Sequence, residues 1–114
     1  MFTHEKFEAY QLAIQFTHVA LQCLDELPPG NGPLRDQLRR AAFSVPLNIA
    51  EGTGKNGRSD RVRFYSIARG SAMECAAICD ILAMLHPPLR SKAEVAKATL
   101  KSIVNILSTV CSAR

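Results

Sequence analysis

Apolar residues along this chain recur at alternating steps of three and four, the spacing that lines one face of an α-helix, in four separate runs. The first is Phe7, Tyr10, Ile14, Thr17, Leu21 and Leu24; Thr3 precedes it as a candidate N-cap, Glu5 falls in its first turn, and an end near Leu27 is expected. Pro28-Pro29-Gly30-Asn31-Gly32 cannot continue that helix, because prolines break the ladder and glycines favour turns. Pro33 suits the first turn of a second helix, where its missing donor would be unpaired anyway. The second run, Leu38, Ala41, Ala42, Val45, Ile49 and Ala50, extends to about Gly52. Gly52-Thr53-Gly54-Lys55-Asn56-Gly57-Arg58 has three glycines and no apolar anchor, and reads as a flexible connection. Ser59 is a candidate cap for the third helix and Asp60 favours its positive end; Phe64, Ala68, Ser71, Cys75, Ile78, Leu82 and Leu85 form its stripe. His86-Pro87-Pro88 stops it. Ser91 and Glu94 have the spacing of a capping box, and Ala96, Leu100, Ile103, Leu107 and Val110 complete a fourth helix. Four long amphipathic helices with short links predict a single domain over residues 1–114: an all-α, antiparallel up-down-up-down four-helix bundle.

Two positions break local helix preference. Pro46 removes a backbone donor and crowds the carbonyl of Ala42, at about 3 kcal/mol in an exposed helix interior. The apolar phase persists across it, which favours one Pro-kinked second helix over two short ones, with Ala41, Ala42 and Ala50 letting a neighbour approach closely. Gly70 costs about 1 kcal/mol relative to alanine inside a helix, so close helix packing is expected around Gly70 and Ser71. Further apolar residues lie off the main stripes: Val95, Val104 and Ile106 in the fourth helix, Leu12, Phe16 and Val19 in the first. They fit either a wide core-facing stripe or an interface.

Charge is unevenly placed. Between Arg35 and Arg69 lie eight of the fourteen Lys and Arg residues but only three of the ten Asp and Glu, so the excess that makes the chain +4 overall is central. Arg35 and Arg39 near the start of the second helix, and Lys55, Arg58, Arg61 and Arg63 around the glycine-rich link, form the candidate nucleic-acid-binding set. Arginine forks suit phosphate oxygens, while the alternative is an ordinary solvated face. Few aromatics accompany them, mainly Phe64 and Tyr65, so backbone contact is favoured over base stacking.

Catalytic and cofactor chemistry has little footing. His4, His18 and His86 are scattered, and Gly52-x-Gly54-x-x-Gly57 follows a helix and not the strand that gives a dinucleotide loop its meaning. Cys75 and Cys79 would point the same way from one helix, compatible with two metal ligands, but a site would need further ligands from other helices and the pair is read instead as small apolar residues. The four cysteines show no CxxC pair or disulfide framework and are expected to be reduced. No cofactor or metal is expected. Glu51 and Glu74 are candidate structural carboxylates, pairing with Arg39, Arg40 or Arg69 to brace the second helix. No run approaches the roughly 20 apolar residues that cross a bilayer, and Met1–Lys6 lacks the layout of a secretion signal, so a soluble cytoplasmic protein without membrane contact is expected.

Gln37-Leu38-Arg39-Arg40-Ala41-Ala42 with Ser44-Val45-Pro46-Leu47-Asn48-Ile49-Ala50-Glu51-Gly52 resembles the signature of a bacterial family of small four-helix-bundle proteins. Its members are encoded within intervening sequences of large-subunit ribosomal RNA genes, and a relative is the accessory variability protein of diversity-generating retroelements. Ile67-Ala68-Arg69-Gly70-Ser71 with Glu74 resembles the family's second motif, and the likeness runs from about Phe7 to Val110. The resemblance implies a homo-oligomer, a ring of five subunits in structurally known relatives, and partners among RNA, DNA and a reverse transcriptase. Together these readings predict a non-enzymatic oligomeric accessory or scaffold protein that binds nucleic-acid backbone nonspecifically. The rival is a protein–protein interaction module whose arginines only solubilise it.

Overall fold

The computed structural model describes residues 1–112. A short 3-10 turn, Thr3–Lys6, leads into α1 (Glu8–Glu26); α2 (Gly32–Thr53) and α3 (Arg58–Leu85) follow, and a second 3-10 turn, Pro87–Leu89, runs into α4 (Arg90–Ser112). No strand occurs among the described residues. Contacts at the helix ends fix the directions. At one end Phe7 of the α1 start packs on Tyr65 near the α3 start, Tyr65 bonds Thr53 at the α2 end, and Arg58 bonds Cys111 at the α4 end. At the other, Lys92 of the α4 start pairs with Glu26 at the α1 end, and Lys97 with Asp80 toward the α3 end, 2.8 Å away. Consecutive helices therefore run in opposite directions, in a bundle of 44 × 23 × 21 Å.

The punctuation behaves as its chemistry dictates. Gly30, at φ +106°, and Asn31, at φ 56°, take the left-handed conformations that turn the chain out of α1, and Pro33 sits in the first turn of α2. Gly57 precedes α3 in an extended conformation, so helix begins at Arg58 and Ser59 lies inside it instead of capping it. Ser91 is likewise interior to α4, because the turn at Pro87–Leu89 already leads into helix at Arg90. The first turn departs too: Thr3 opens a 3-10 turn in which Glu5 accepts from the Phe2 N–H at 3.0 Å, and the α-helix waits until Glu8.

The core is built largely from small residues on α1 and α3. On α1 the buried positions are Ala9, Ala13, Phe16, Ala20, Cys23 and Leu24, whereas Ile14 and Leu21 of the expected stripe are exposed. On α3 they are Tyr65, Ala68, Ala72, Cys75, Ile78, Cys79 and Leu82; Phe64 and Ser71 are half-buried and Leu85 is exposed. The buried face of α1 is rotated from the expected one toward alanines, whereas α3 keeps Ala68, Cys75, Ile78 and Leu82 of the expected stripe and buries Tyr65 and Ala72 in place of Phe64 and Ser71. A helix that presents alanine comes closer to its neighbour, so its flanking side chains close the seam from the sides. The expected stripes hold where the large residues are central: Leu38, Ala41, Ala42, Val45 and Ile49 on α2, and Ala96, Leu100, Ile103 and Leu107 on α4.

α2 continues unbroken through Pro46, which is buried, so the two-helix alternative is excluded. Beside it, Asn48 Nδ2 donates to both the carbonyl and the hydroxyl of Ser44 at 2.9 Å, and the Ser44 hydroxyl meets that of Ser71 on α3 at 2.8 Å. That polar seam ties α2 to α3 within one turn of the missing proline donor. Gly70, by contrast, is open: a Cβ there would meet nothing within 4 Å, so it serves no close approach inside this chain. The tight glycine is Gly52, where an added Cβ would fall 2.8 Å from the Tyr65 ring and 3.2 Å from the Arg61 carbonyl.

Candidate nucleic-acid interface

The link between α2 and α3 is shorter and better tied than its composition implies. α2 persists to Thr53, leaving four residues, 54–57, before α3. Gly54 N–H donates to the Ala50 carbonyl and Lys55 N–H to that of Gly52, both at 3.1 Å. The Tyr65 hydroxyl meets that of Thr53 at 2.8 Å while its ring fills the notch over Gly52, so the end of α2 and the start of α3 are clamped together.

Four basic residues project from this clamp. Arg61 Nη1 donates to the Lys55 carbonyl at 3.1 Å, closing the link from below, and Arg58 Nη2 donates to the Cys111 carbonyl on α4 at 3.0 Å. Neither has a carboxylate partner among the described residues. Arg63 pairs with Asp60 at 3.7 Å and lies over the Phe64 ring, its Cζ 4.4 Å from the centroid. Lys55 pairs with Glu51 at 3.3 Å and also faces Phe64, at 5.3 Å. These four of the candidate set do gather at one end of the bundle, in two electrostatic conditions: Arg58 and Arg61 hydrogen-bonded and without a carboxylate partner among the described residues, Arg63 and Lys55 partly offset by acids.

Arg35 and Arg39 do not join them. Arg35 lies at the start of α2, separated from Thr53 by roughly 27 Å of helix at about 1.5 Å per residue. Its guanidinium is spent on main-chain carbonyls: Nε donates to Gly30 at 2.8 Å, Nη1 to Leu24 at 2.9 Å, and Nη2 to Leu27 at 2.7 Å and Pro28 at 2.6 Å. Those carbonyls include acceptors freed at the α1 C-terminus, so Arg35 clamps the α1–α2 turn. Arg39 stays near that end, 3.9 Å from Asp36.

The bracing expected of the glutamates is absent. Glu51 pairs with Lys55 within its own helix-and-link, and Glu74 accepts from Gln37 Nε2 at 3.0 Å. Both carboxylates are exposed, and neither meets Arg39, Arg40 or Arg69. Arg40 is exposed on the outer side of α2 without an ion-pair partner among the described residues, while Arg69 reaches Ser108 of α4 at 3.4 Å. The ties from α2 to α3 are carried instead by Gln37–Glu74, Ser44–Ser71 and Thr53–Tyr65.

Cys23, Cys75 and Cys79 are buried in the core. Burial, reinforced by neighbouring negative charge, pushes the Cys75 and Cys79 thiols from 9.0 up to about 12, so they are packed as protonated thiols at neutral pH. Among the described residues no three His, Cys, Asp or Glu side chains gather closely enough to hold a metal ion, and no helix is long and apolar enough to cross a membrane.

Fold and site together define a class: a small all-α bundle whose distinctive surfaces are one basic end and several uncovered apolar side chains. The chain belongs to the 23S rRNA-intervening sequence protein family, whose model matches residues 5–109. The fold is shared with the crystal structure of a protein of unknown function from the S23 ribosomal protein family of Bacteroides thetaiotaomicron. The TM-score is 0.77 at 18% identity, over 92% of this chain and 95% of that one. Among curated protein sequences nothing matches significantly.

Proposed function

We propose that this protein is a cytoplasmic, non-enzymatic scaffold that assembles with copies of itself and holds nucleic acid by contacts to the sugar–phosphate backbone. The observation that carries this reading is the junction of α2 and α3, where Lys55, Arg58, Arg61 and Arg63 gather at one end of the bundle. Arg58 and Arg61 spend one donor each on carbonyls there, and a guanidinium has five, so both retain charge and donors for phosphate oxygens. Repetition of this end in a symmetric assembly would add avidity to weak single contacts.

The test is anisotropy with labelled RNA and DNA over a salt series. Affinity is expected to fall steeply with salt and to weaken in Arg58→Ala/Arg61→Ala, while Arg39→Ala leaves it unchanged. Salt-insensitive or absent binding defeats the proposal. It would favour the interaction-module reading, which Leu47, Met73, Met84 and Val95 support, because each leaves more than half of its surface uncovered.

A further inference from the structure

Phosphate contact accounts for Arg58 and Arg61 but not for what surrounds Phe64. This half-buried ring has two cations within reach of its face, Arg63 at 4.4 Å and Lys55 at 5.3 Å. Each of those cations also has a carboxylate beside it, Asp60 at 3.7 Å and Glu51 at 3.3 Å. A phosphate approaching Arg63 would meet the field of Asp60, which makes Arg63 a poorer phosphate ligand than Arg58 or Arg61. What the acid does not cancel is shape. The guanidinium is planar, delocalised and weakly hydrated, and here it lies over the ring with the carboxylate 3.7 Å away, on a side chain 61% exposed. A group so placed loses little freedom when a second flat surface settles on it. Unpaired nucleobases offer such a surface and stack on guanidinium planes, whereas bases within a duplex are already stacked on one another.

Resting on the nucleic-acid reading above, we infer that Arg63, laid over Phe64, is a stacking platform for an unpaired nucleobase. The basic end then prefers single-stranded to duplex nucleic acid, with Arg58 and Arg61 taking the neighbouring phosphates. The two kinds of site are complementary, Arg58 and Arg61 having no carboxylate partner among the described residues and Arg63 offering a flat surface whose charge is already offset.

Anisotropy of the full chain at one fixed salt concentration, with three labelled probes, tests this. The probes are a short oligothymidylate, an abasic strand of equal length, and a blunt duplex of that length. The native chain is expected to bind oligothymidylate about tenfold more tightly than the abasic strand, and more tightly than the duplex. Arg63→Lys keeps the charge but removes the plane, and is expected to bring oligothymidylate down to the affinity of the abasic strand while leaving the latter unchanged. Equal binding of oligothymidylate and abasic strand by the native chain overturns the platform and leaves the phosphate reading intact. So does a duplex bound as tightly as the single strand, or an Arg63→Lys variant that keeps the preference. Failure of the native chain to bind any probe overturns both.

Discussion

A single guanidinium closes the turn between α1 and α2. Arg35 meets four carbonyls that α1's end and the following loop would otherwise leave to water, through donors only arginine can spread over that arc. Hydrogen bonds from charged donors contribute about 1.5–3 kcal/mol each where buried, and less here because the side chain is half-exposed and the bonds are not additive. Arg35→Ala is expected to lose about 2 kcal/mol, lowering the melting temperature by roughly 10 °C, and Arg35→Lys should restore little of it; calorimetry on both variants checks this. Nucleic-acid affinity measured well below the melting temperature should not change, since Arg35 stands at the end remote from Arg58. The buried thiols make a second prediction at this scale. Cys75 and Cys79 titrate near 9.0 when unfolded but are raised to about 12 in the fold. Between those values the unfolded chain binds fewer protons than the folded one, so stability is full below pH 9.0 and falls as pH rises toward 12. Urea midpoints should drop between neutral pH and about pH 10, and a Cys75→Ala/Cys79→Ala variant should show a shallower drop.

At the scale of the helices, position along the chain was far easier to read than rotation about the axis. Pro28-Pro29-Gly30, Gly54 to Gly57 and Pro87-Pro88 interrupt helix by backbone chemistry that needs no tertiary context, so four helices and their approximate ends were legible. Rotation was legible on α2 and α4 and largely on α3, but not on α1, which is apolar over more than one face. Ile14 and Leu21 compete with Ala9, Ala13 and Ala20 for the interior, and only the space left by the other helices decides for alanine. The same applies to the candidate site. Lys55, Arg58, Arg61 and Arg63 cluster in sequence and so cluster in space, but the role of Arg35 depended on carbonyls presented by a loop, which no residue pattern encodes. The two glycines invert the expectation most plainly: Gly52, read as the start of a flexible connection, receives the Tyr65 ring, and Gly70, read as a contact point, faces open space. With nothing near its Cβ position, Gly70→Ala should stabilise the isolated chain by about 0.5–1 kcal/mol through helix propensity alone. Chemical denaturation measures this, and a destabilised variant would mean that something outside this chain lies against that turn of α3.

For the molecule as a whole, the balance between its two proposed surfaces turns on assembly. Leu47 is 66% exposed on α2, and Met73 and Met84 on α3 and Val95 on α4 are comparably bare, at 59, 78 and 61%. They are spread over three helices, and copies arranged in a closed ring use two different faces of every subunit. Light scattering is therefore expected to give a multiple of the 12.5 kDa chain mass. Leu47 supplies the discriminating variant, because a side chain so exposed carries little of the fold's own packing. Leu47→Glu should leave the helical circular dichroism and the melting of the dissociated chain unchanged while reducing the observed mass. If repetition of the basic end underlies binding, nucleic-acid affinity should fall in parallel, by more than the one added negative charge explains, and the loss should persist at salt concentrations where that charge is screened. A dissociated Leu47→Glu chain that binds nucleic acid as tightly as the assembly would confine recognition to a single α2–α3 junction; an undiminished mass would exonerate the outer face of α2 and direct the search to Met84 and Val95.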